Sequence, residues 1–267
     1  MKLLRFKNEK YPQGCIGKVD GDTVTVMTGS MFGGLSETEE TVSLGSITDF
    51  LPPVDPPNII AIGANYVDHV KESNAEMPKI PLVFIKTTNA VTAHGKDIML
   101  PKNNPDAIDY EAELAVVIGK KASYVTEEEA MDYVFGYTCA NDVSARDVQL
   151  KIDAQWARGK SFDTFCPFGP FLVTDIDDPK ELHVKLRLNG EQMQYQPVSD
   201  MIFSIPRIIS HLSAGITLYP GTVILTGTPS GVGMACNPPR YLKAGDIVEV
   251  EIDKVGILRN TVRTMEV

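Results

Sequence analysis

The chain has 267 residues, of which 43% are hydrophobic and 22% charged, and its formal net charge is −10 at pH 7. This composition is ordinary for a globular protein and allows a sizeable core. The acidic balance argues against nucleic-acid binding, because phosphate backbones attract Lys and Arg. The N-terminus lacks the apolar segment of a signal peptide, and no apolar run reaches membrane-spanning length. We therefore expect no membrane partner and a cytoplasmic location.

Short strands joined by turns are predicted over the first 50 residues, with Asp20-Gly21 as a hairpin signal. A proline-rich stretch over residues 51–57 follows, and such a stretch is typical of a stiff linker. We therefore predict a small N-terminal β domain over residues 1–56 and a main domain over residues 57–267. The alternative is a surface loop inside one domain.

Strand patterns outnumber helix patterns in the rest of the chain. Helices are predicted from Asn65, after the capping box at residues 126–129, and over residues 204–213. Because regular helices do not separate the strands, the order favours a β-rich barrel or sandwich over a doubly wound parallel sheet. The main predicted strands cover residues 59–62, 82–86, 110–118, 134–140, 184–188, 192–195, 223–226 and 247–252.

Two acidic side chains precede a wholly apolar run in the predicted strand at residues 110–118. Glu111 and Glu113 are two residues apart, so a strand would place both on one face. A second apolar strand ends at Asp142. Like charges at the edge of a core repel one another unless a cation lies between them. Oxygen ligands without a nearby Cys suit Mg²⁺ or Mn²⁺ better than zinc or copper.

This spacing has an alternative interpretation, in which both glutamates face water on an edge strand. Alternating acids are common on solvated strands, and we interpret Glu249 and Glu251 in that way. The spacing alone does not decide between a metal site and a solvated strand.

Five short segments, in this order along the chain, together resemble the fumarylacetoacetate hydrolase family. Each is weak alone, but five in order are specific, and the resemblance covers residues 59 to about 262. The segments are GANYVDH at 63–69, DYEAE at 109–113, NDVSARD at 141–147, GKSFD at 159–163 and LTGTPSGVG at 225–233.

The resemblance implies a β-rich α+β fold, namely a mixed β-barrel or roll with a small N-terminal β domain. It also implies a homodimer and a Mg²⁺ or Mn²⁺ cofactor. The family's three carboxylate ligands fall by position on Glu111, Glu113 and Asp142. The large members of the family have a longer N-terminal domain and a further aspartate ligand that has no clear counterpart here. The chain is therefore similar to the shorter bacterial branch.

Further site residues follow from the same resemblance. A catalytic His and Glu on a short lid helix correspond to His69 and Glu72, whose spacing of three puts them on one helical face. Lys160 corresponds to a catalytic lysine near the metal, and Gln149 to a glutamine that orients substrate or water.

Two more residues correspond to substrate-binding positions of the family. Lys86 matches a basic residue that binds a far carboxylate, with a strand-end lysine as the alternative. Thr228 lies in the glycine-rich segment, whose backbone N–H groups can approach an anion. Arg146 and Asp147 are interpreted as a structural ion pair.

We predict a metal-dependent hydrolase that cleaves a C–C bond of acylpyruvate-type acids through a stabilised enolate. Alternatives that share this intermediate are an oxaloacetate decarboxylase and a 2-hydroxyhepta-2,4-diene-1,7-dioate isomerase. A carbohydrate dehydratase and a non-catalytic binding protein that retains the fold are further alternatives.

Overall fold

The computed structural model describes residues 1–103 and 106–265, and strands make up most of its regular structure. The strands are β1 (Lys2–Lys7), β2 (Cys15–Asp20), β3 (Thr23–Ser30), β4 (Gly34–Ser43), β5 (Asp49–Leu51), β6 (Ile59–Gly63), β7 (Leu82–Lys86), β8 (Val91–Thr92), β9 (Asp97–Leu100), β10 (Ile108–Asp109), β11 (Ala112–Ile118), β12 (Val134–Asn141), β13 (Ser144–Ala145), β14 (Cys166–Val173), β15 (His183–Leu188), β16 (Glu191–Pro197), β17 (Val223–Leu225), β18 (Ile247–Ile252) and β19 (Gly256–Thr264).

Helical structure is sparse. Within residues 1–103 and 106–265 there are two α-helices, α1 (Val67–Glu72) and α2 (Ile205–Ser213), and Val148–Ile152 form a π-helical turn. Short 3₁₀ turns lie at Leu44–Ser46, Thr88–Ala90, Ala130–Tyr133, Pro179–Glu181, Val198–Asp200 and Gly233–Ala235. No helix in the described ranges is both long and apolar enough to cross a membrane.

The main sheet contains ten consecutive strands in the order β4-β3-β2-β1-β14-β12-β11-β17-β6-β7, while β5 pairs with β1 and β8 with β14. A second sheet, β16-β15-β18-β19-β9, packs against it, with β18 and β19 lying near β12 and β14. Apolar side chains from both sheets form the large core. The predicted β-rich α+β fold is confirmed.

The predicted barrel is not confirmed. In the residues that the structure describes, the main sheet ends at β4 and β7 without closing into a ring, and the second sheet is separate. The strands therefore enclose the core as two packed layers, in which apolar faces are buried without closure of either sheet.

Most predicted elements are confirmed, but one helix is wrong. Helix α2 begins after Ser204, whose side chain accepts a hydrogen bond from the Arg207 N–H, as a cap should. Thr126 and Glu129 do make the reciprocal contacts of a capping box. Only the single turn Ala130–Tyr133 follows, because the chain then enters strand β12.

The N-terminal strands continue the main sheet. Strand β1 pairs with β14 in an antiparallel register that sets Leu3 opposite Leu172. Strands β1 to β5 also have a small apolar cluster of their own, formed by Leu4, Phe6, Val24, Val26 and Ile47. The boundary between residues 1–56 and 57–267 stays a prediction.

Candidate metal centre and active site

The antiparallel pairing of β11 and β12 brings the three predicted metal ligands together. Ala112 lies opposite Asn141, so the beginning of β11 meets the end of β12. Glu111 precedes β11, and its carbonyl accepts a 2.8 Å hydrogen bond from the Asp142 N–H. One carboxylate oxygen each from Glu111, Glu113 and Asp142 lies within 4.8 Å of the others, and all three residues are buried.

Buried cations contact two of these carboxylates. Lys160 Nζ lies 2.7 Å from Glu111 Oε2 and 2.6 Å from Asp142 Oδ2. Lys86 Nζ lies 2.5 Å from Asp142 Oδ1. Arg146 contacts Glu111 Oε1 at 2.7 Å. Glu111 and Asp142 are therefore held in place before any metal binds.

Glu113 differs from its two neighbours. No cationic side chain among the described residues forms an ion pair with it, and its Oε2 accepts a 2.6 Å hydrogen bond from the Gly227 N–H. Burial, followed by the charges of Asp142 and Glu111, raises the pKa of Glu113 well above its ordinary value. Glu113 is thus the group on which the repulsion in the cluster is concentrated.

In Glu111 and Lys160, by contrast, the neighbouring charges favour the charged form. Burial alone would raise the pKa of Glu111, but Lys160 and Arg146 outweigh it and lower that pKa. Burial alone would lower the pKa of Lys160, but Asp142 and Glu111 outweigh it and raise that pKa. The Lys160 ammonium and the Glu111 carboxylate therefore stay charged over the physiological range.

The charges at the centre favour a cation. The buried carboxylates outnumber the buried cations by one, since Asp109, Glu111, Glu113 and Asp142 lie near Lys86, Arg146 and Lys160. The three grouped ligands offer only hard oxygen atoms, which suit a divalent cation such as Mg²⁺. The residues present thus fit the metal that the sequence predicts.

Without metal, we expect stability to fall as pH rises through the raised pKa of Glu113. A carboxyl whose pKa is higher in the folded state stabilises the fold fully below its unfolded pKa and less as it ionises. A divalent cation should remove this loss. Thermal unfolding between about pH 5 and pH 9, in EDTA and in Mg²⁺, measures it. A pH profile in EDTA that is the same for wild type and Glu113→Gln would contradict the expectation.

His69 and Glu72 form a hydrogen-bonded pair on helix α1. His69 Nδ1 lies 2.7 Å from Glu72 Oε1, and both side chains are mostly buried. Because a carboxylate accepts hydrogen bonds, this contact requires the proton on Nδ1 and leaves Nε2 as the nitrogen that can accept a proton. Glu72 Oε2 also accepts a 2.8 Å hydrogen bond from the Gly231 N–H. The pair therefore connects α1 with the glycine-rich segment at residues 225–233.

A cavity of about 200 Å³ contains the metal ligands, His69 and Lys160 in its wall. This volume suits a small acid, since pockets for drug-sized ligands run to roughly 300–1,000 Å³. The other lining residues are Ile62, Gly63, Ala64, Val70, Ser73, Ala75, Phe84, Arg146, Gln149, Leu150, Trp156, Thr228 and Met234.

Gln149 and Thr228 line this cavity, and Lys86 does not. Gln149 Oε1 accepts a hydrogen bond from Arg146. Thr228 Oγ1 donates to the Ala112 carbonyl and accepts from Gln194 Nε2, so its proton is already used. Lys86 lies behind Asp142 with a fully buried side chain, and it also donates to the Val143 carbonyl. Its placement does not support the predicted contact with a far carboxylate.

Asp109 and Arg146 belong to the site, although neither was predicted to. Asp109 Oδ2 accepts from Arg146 Nε at 2.9 Å and from the Met234 N–H, while Asp109 Oδ1 accepts from the Gly233 N–H. Arg146 therefore pairs with Asp109 and Glu111, whereas the Asp147 carboxylate accepts from the Val148 N–H. The alternation that singles out Glu111 and Glu113 also extends back to Asp109, and this signal could have identified it.

The fold and the carboxylate centre define a fumarylacetoacetate hydrolase-type protein, and the chain belongs to that family. The family described as Fumarylacetoacetate (FAA) hydrolase C-terminal matches residues 58–263. A second family, described as Rv2993c-like, N-terminal, matches residues 1–53. The family membership predicted from the five segments is confirmed.

Relatives with assigned names include two tautomerases and an isomerase. Oxaloacetate tautomerase fahd2, mitochondrial, of Xenopus laevis is 46% identical over 231 residues, which cover 85% of this chain and 72% of the relative. Oxaloacetate tautomerase YisK of Bacillus subtilis is 49% identical over 209 residues, or 77% of this chain and 69% of the relative. The structure of 2-hydroxyhepta-2,4-diene-1,7-dioate isomerase from Mycobacterium marinum has a TM-score of 0.88 at 34% identity and covers 100% of both chains.

Proposed function

We propose that the chain is a divalent-metal-dependent isomerase that moves a proton within an enolisable 2-oxo acid, with oxaloacetate as the first substrate to test. The observation that carries the proposal is one cavity wall that combines three carboxylates, Lys160 and His69, which Glu72 orients. The names of the tautomerase relatives and of the isomerase structure all describe isomerisation, and they support the same reaction type.

Glu111, Glu113 and Asp142 would hold Mg²⁺ or Mn²⁺, which supplies Lewis-acid stabilisation of the charge that develops on a keto oxygen. The chain's own cations assist. Lys160 lies beside two of the ligands and can donate to a substrate carboxylate or enolate oxygen. Lys86, which does not line the cavity, contacts the Asp142 carboxylate and keeps it oriented.

His69 would move the proton between the substrate carbon and solvent. Glu72 accepts a hydrogen bond from Nδ1 and so keeps the proton on that nitrogen. Nε2 is therefore the nitrogen able to take a proton from carbon and return it. Gln149, which Arg146 orients, would contact the substrate or a water molecule. For Thr228 the contact with substrate stays a prediction.

Hydrolysis of an acylpyruvate is the second candidate, because the same pair can polarise a water molecule. A basic Nε2 beside the three ligands could direct water at the second carbonyl of a 2,4-diketo acid. Decarboxylation of oxaloacetate needs only the stabilised enolate, and it too stays a prediction.

The test is a substrate panel assayed with Mg²⁺ and with EDTA. We expect the enol absorbance of oxaloacetate to decay faster with enzyme and Mg²⁺ than without enzyme, and EDTA to remove the difference. An acylpyruvate and a 2-hydroxydienedioate complete the panel. If the enzyme cleaves the acylpyruvate and leaves the oxaloacetate tautomers at the spontaneous rate, the second candidate replaces the first.

The homodimer, the cytoplasmic location and the two-domain division also stay predictions. The relative from Xenopus laevis is named as mitochondrial, so the compartment differs among family members. For the dimer, we expect light scattering at micromolar concentration to give twice the chain mass of 29.2 kDa. A mass equal to one chain would contradict it.

A further inference from the structure

One part of the cavity wall is formed by uncharged side chains, and it adjoins the part that carries the charged residues. The Phe84 ring centroid lies 5.0 Å from Lys160 Nζ. The same centroid lies 5.7 Å from that of Trp156 in an edge-to-face arrangement. Leu150 follows Gln149 in the π-helical turn and also lines the cavity. We call Phe84, Trp156 and Leu150 the apolar wall.

Gly63 is needed for this wall. A Cβ atom at Gly63 would lie 2.7 Å from Trp156 Cζ3 and 3.2 Å from Leu82 Cδ2, so any larger residue would displace the indole. The neighbouring lining residues Ile62, Val70 and Ala75 are apolar as well. The charged residues that line the described cavity all belong to the metal centre and the groups beside it.

The cations that line the described cavity lie at the metal centre. Lys160 contacts Glu111 and Asp142, and Arg146 contacts Asp109 and Glu111. A second carboxylate held against the apolar wall would lose its hydration without gaining a charged partner, whereas an alkyl group would be buried favourably.

We propose, building on the proposed function, that the apolar wall binds an uncharged, apolar substituent on a 2-oxo acid. Phe84, Trp156 and Leu150 are then specificity-determining residues, and the substrate class extends beyond oxaloacetate to longer 2-oxo acids with alkyl or aryl tails. Among 2-oxo acids of equal length, the enzyme prefers the one with the neutral end. Each methylene added against the wall strengthens binding about threefold to fourfold.

A pair of ligands with the same shape tests the proposal. 5-Methyl-2-oxohexanoate and 2-oxopentanedioate have the same number of heavy atoms, but one ends in an isopropyl group and the other in a carboxylate. Trp156 is the only tryptophan of the chain, so its fluorescence reports binding at the wall without turnover. Titrations in Mg²⁺ are expected to give at least about tenfold tighter binding of the isopropyl acid. Calorimetry serves for any ligand that leaves the fluorescence unchanged.

Two arginine substitutions in one turn supply the matched variants. Leu150→Arg introduces a cation at the wall, and both Leu150 and Ile152 are more than half exposed, so either should tolerate the change. Leu150→Arg should lower the preference for the isopropyl acid at least about fivefold. Ile152 does not line the cavity, so Ile152→Arg should leave the preference as in wild type.

Three results would overturn the proposal. They are equal or tighter binding of the dicarboxylate by wild type, binding of neither acid, and an equal change of preference in both arginine variants. An assay of oxaloacetate tautomerisation tests the proposed function separately. An enzyme that tautomerises oxaloacetate yet prefers the dicarboxylate refutes only the apolar wall. One that prefers the isopropyl acid without tautomerising oxaloacetate refutes only the proposed reaction.

Discussion

Glu113→Gln is expected to abolish divalent-metal binding and to lower turnover by at least about 10³-fold, while the metal-free protein stays at least as stable as wild type. The loss of turnover follows because Lewis-acid stabilisation of an enolate is worth several kcal/mol. The stability is retained because Glu113 has no ion-pair partner in the described structure and carries the repulsion of Asp142 and Glu111. A neutral amide of the same size relieves that repulsion.

Calorimetric titration with Mn²⁺ and thermal unfolding in EDTA measure the two effects. Glu249→Gln is the matched control, since Glu249 also belongs to a Glu-x-Glu pair on a strand but lies away from the cavity. We expect this control to bind metal as wild type does. Unchanged metal affinity in Glu113→Gln would remove Glu113 from the ligand set.

Asp142→Asn should behave differently, although it removes a ligand from the same centre. Lys86 and Lys160 both contact the Asp142 carboxylate with fully or almost fully buried side chains. Removal of one partner from a buried ion pair typically costs about 3–5 kcal/mol, because the remaining charge is left uncompensated. In EDTA, Asp142→Asn should therefore melt well below both wild type and Glu113→Gln. Equal melting temperatures would contradict this account of the charges.

His69→Ala is expected to slow oxaloacetate tautomerisation by about 10²–10⁴-fold while metal affinity stays near that of wild type. His69 is the one imidazole in the cavity wall of the described structure, and its orientation depends on Glu72. Glu72→Gln should lower the rate less, since a glutamine oxygen can still accept from Nδ1. The measurement is the decay of enol absorbance at saturating Mg²⁺.

Lys71→Ala is the control for His69→Ala, because Lys71 lies on the same helix with an exposed side chain. Comparison of reactions adds a second test. Decarboxylation of oxaloacetate needs only the stabilised enolate, so a loss confined to tautomerisation or hydrolysis identifies His69 as a proton carrier. An equal loss in every reaction would indicate that His69 only shapes the cavity.

The sequence predicts three carboxylates that the structure brings together, but it does not predict the element that holds each of them. The alternation predicts Glu111 within a strand, but Glu111 precedes β11, and strand pairing rather than alternation alone brings it beside Asp142. The register between β11 and β12 depends on long-range pairing, which local periodicity does not encode. The order of the motifs along the chain carries that register implicitly, and it selects three carboxylates that lie together in the structure.

The contacts of charged side chains could not be predicted from local patterns. Arg146 lies beside Asp147 in sequence, yet it pairs with Asp109, 37 positions away. The family resemblance predicts that Lys86 faces a substrate, but at the end of strand β7 its ammonium contacts Asp142 instead. In both cases burial decided the outcome, since a buried charge must lie where a partner already is.

Glu72 has a consequence for the timing of the reaction. One of its oxygens orients His69, and the other accepts the Gly231 N–H of the glycine-rich segment. A conformation that moves α1 away from this segment would break the second contact and carry His69, which lies on the same helix, away from the cavity wall. Closure of the site and competence for proton transfer are thus reciprocally linked, so a ligand that favours one must favour the other. A substrate held in an open enzyme would stay unreacted, and amide hydrogen exchange in α1 should slow when a ligand binds.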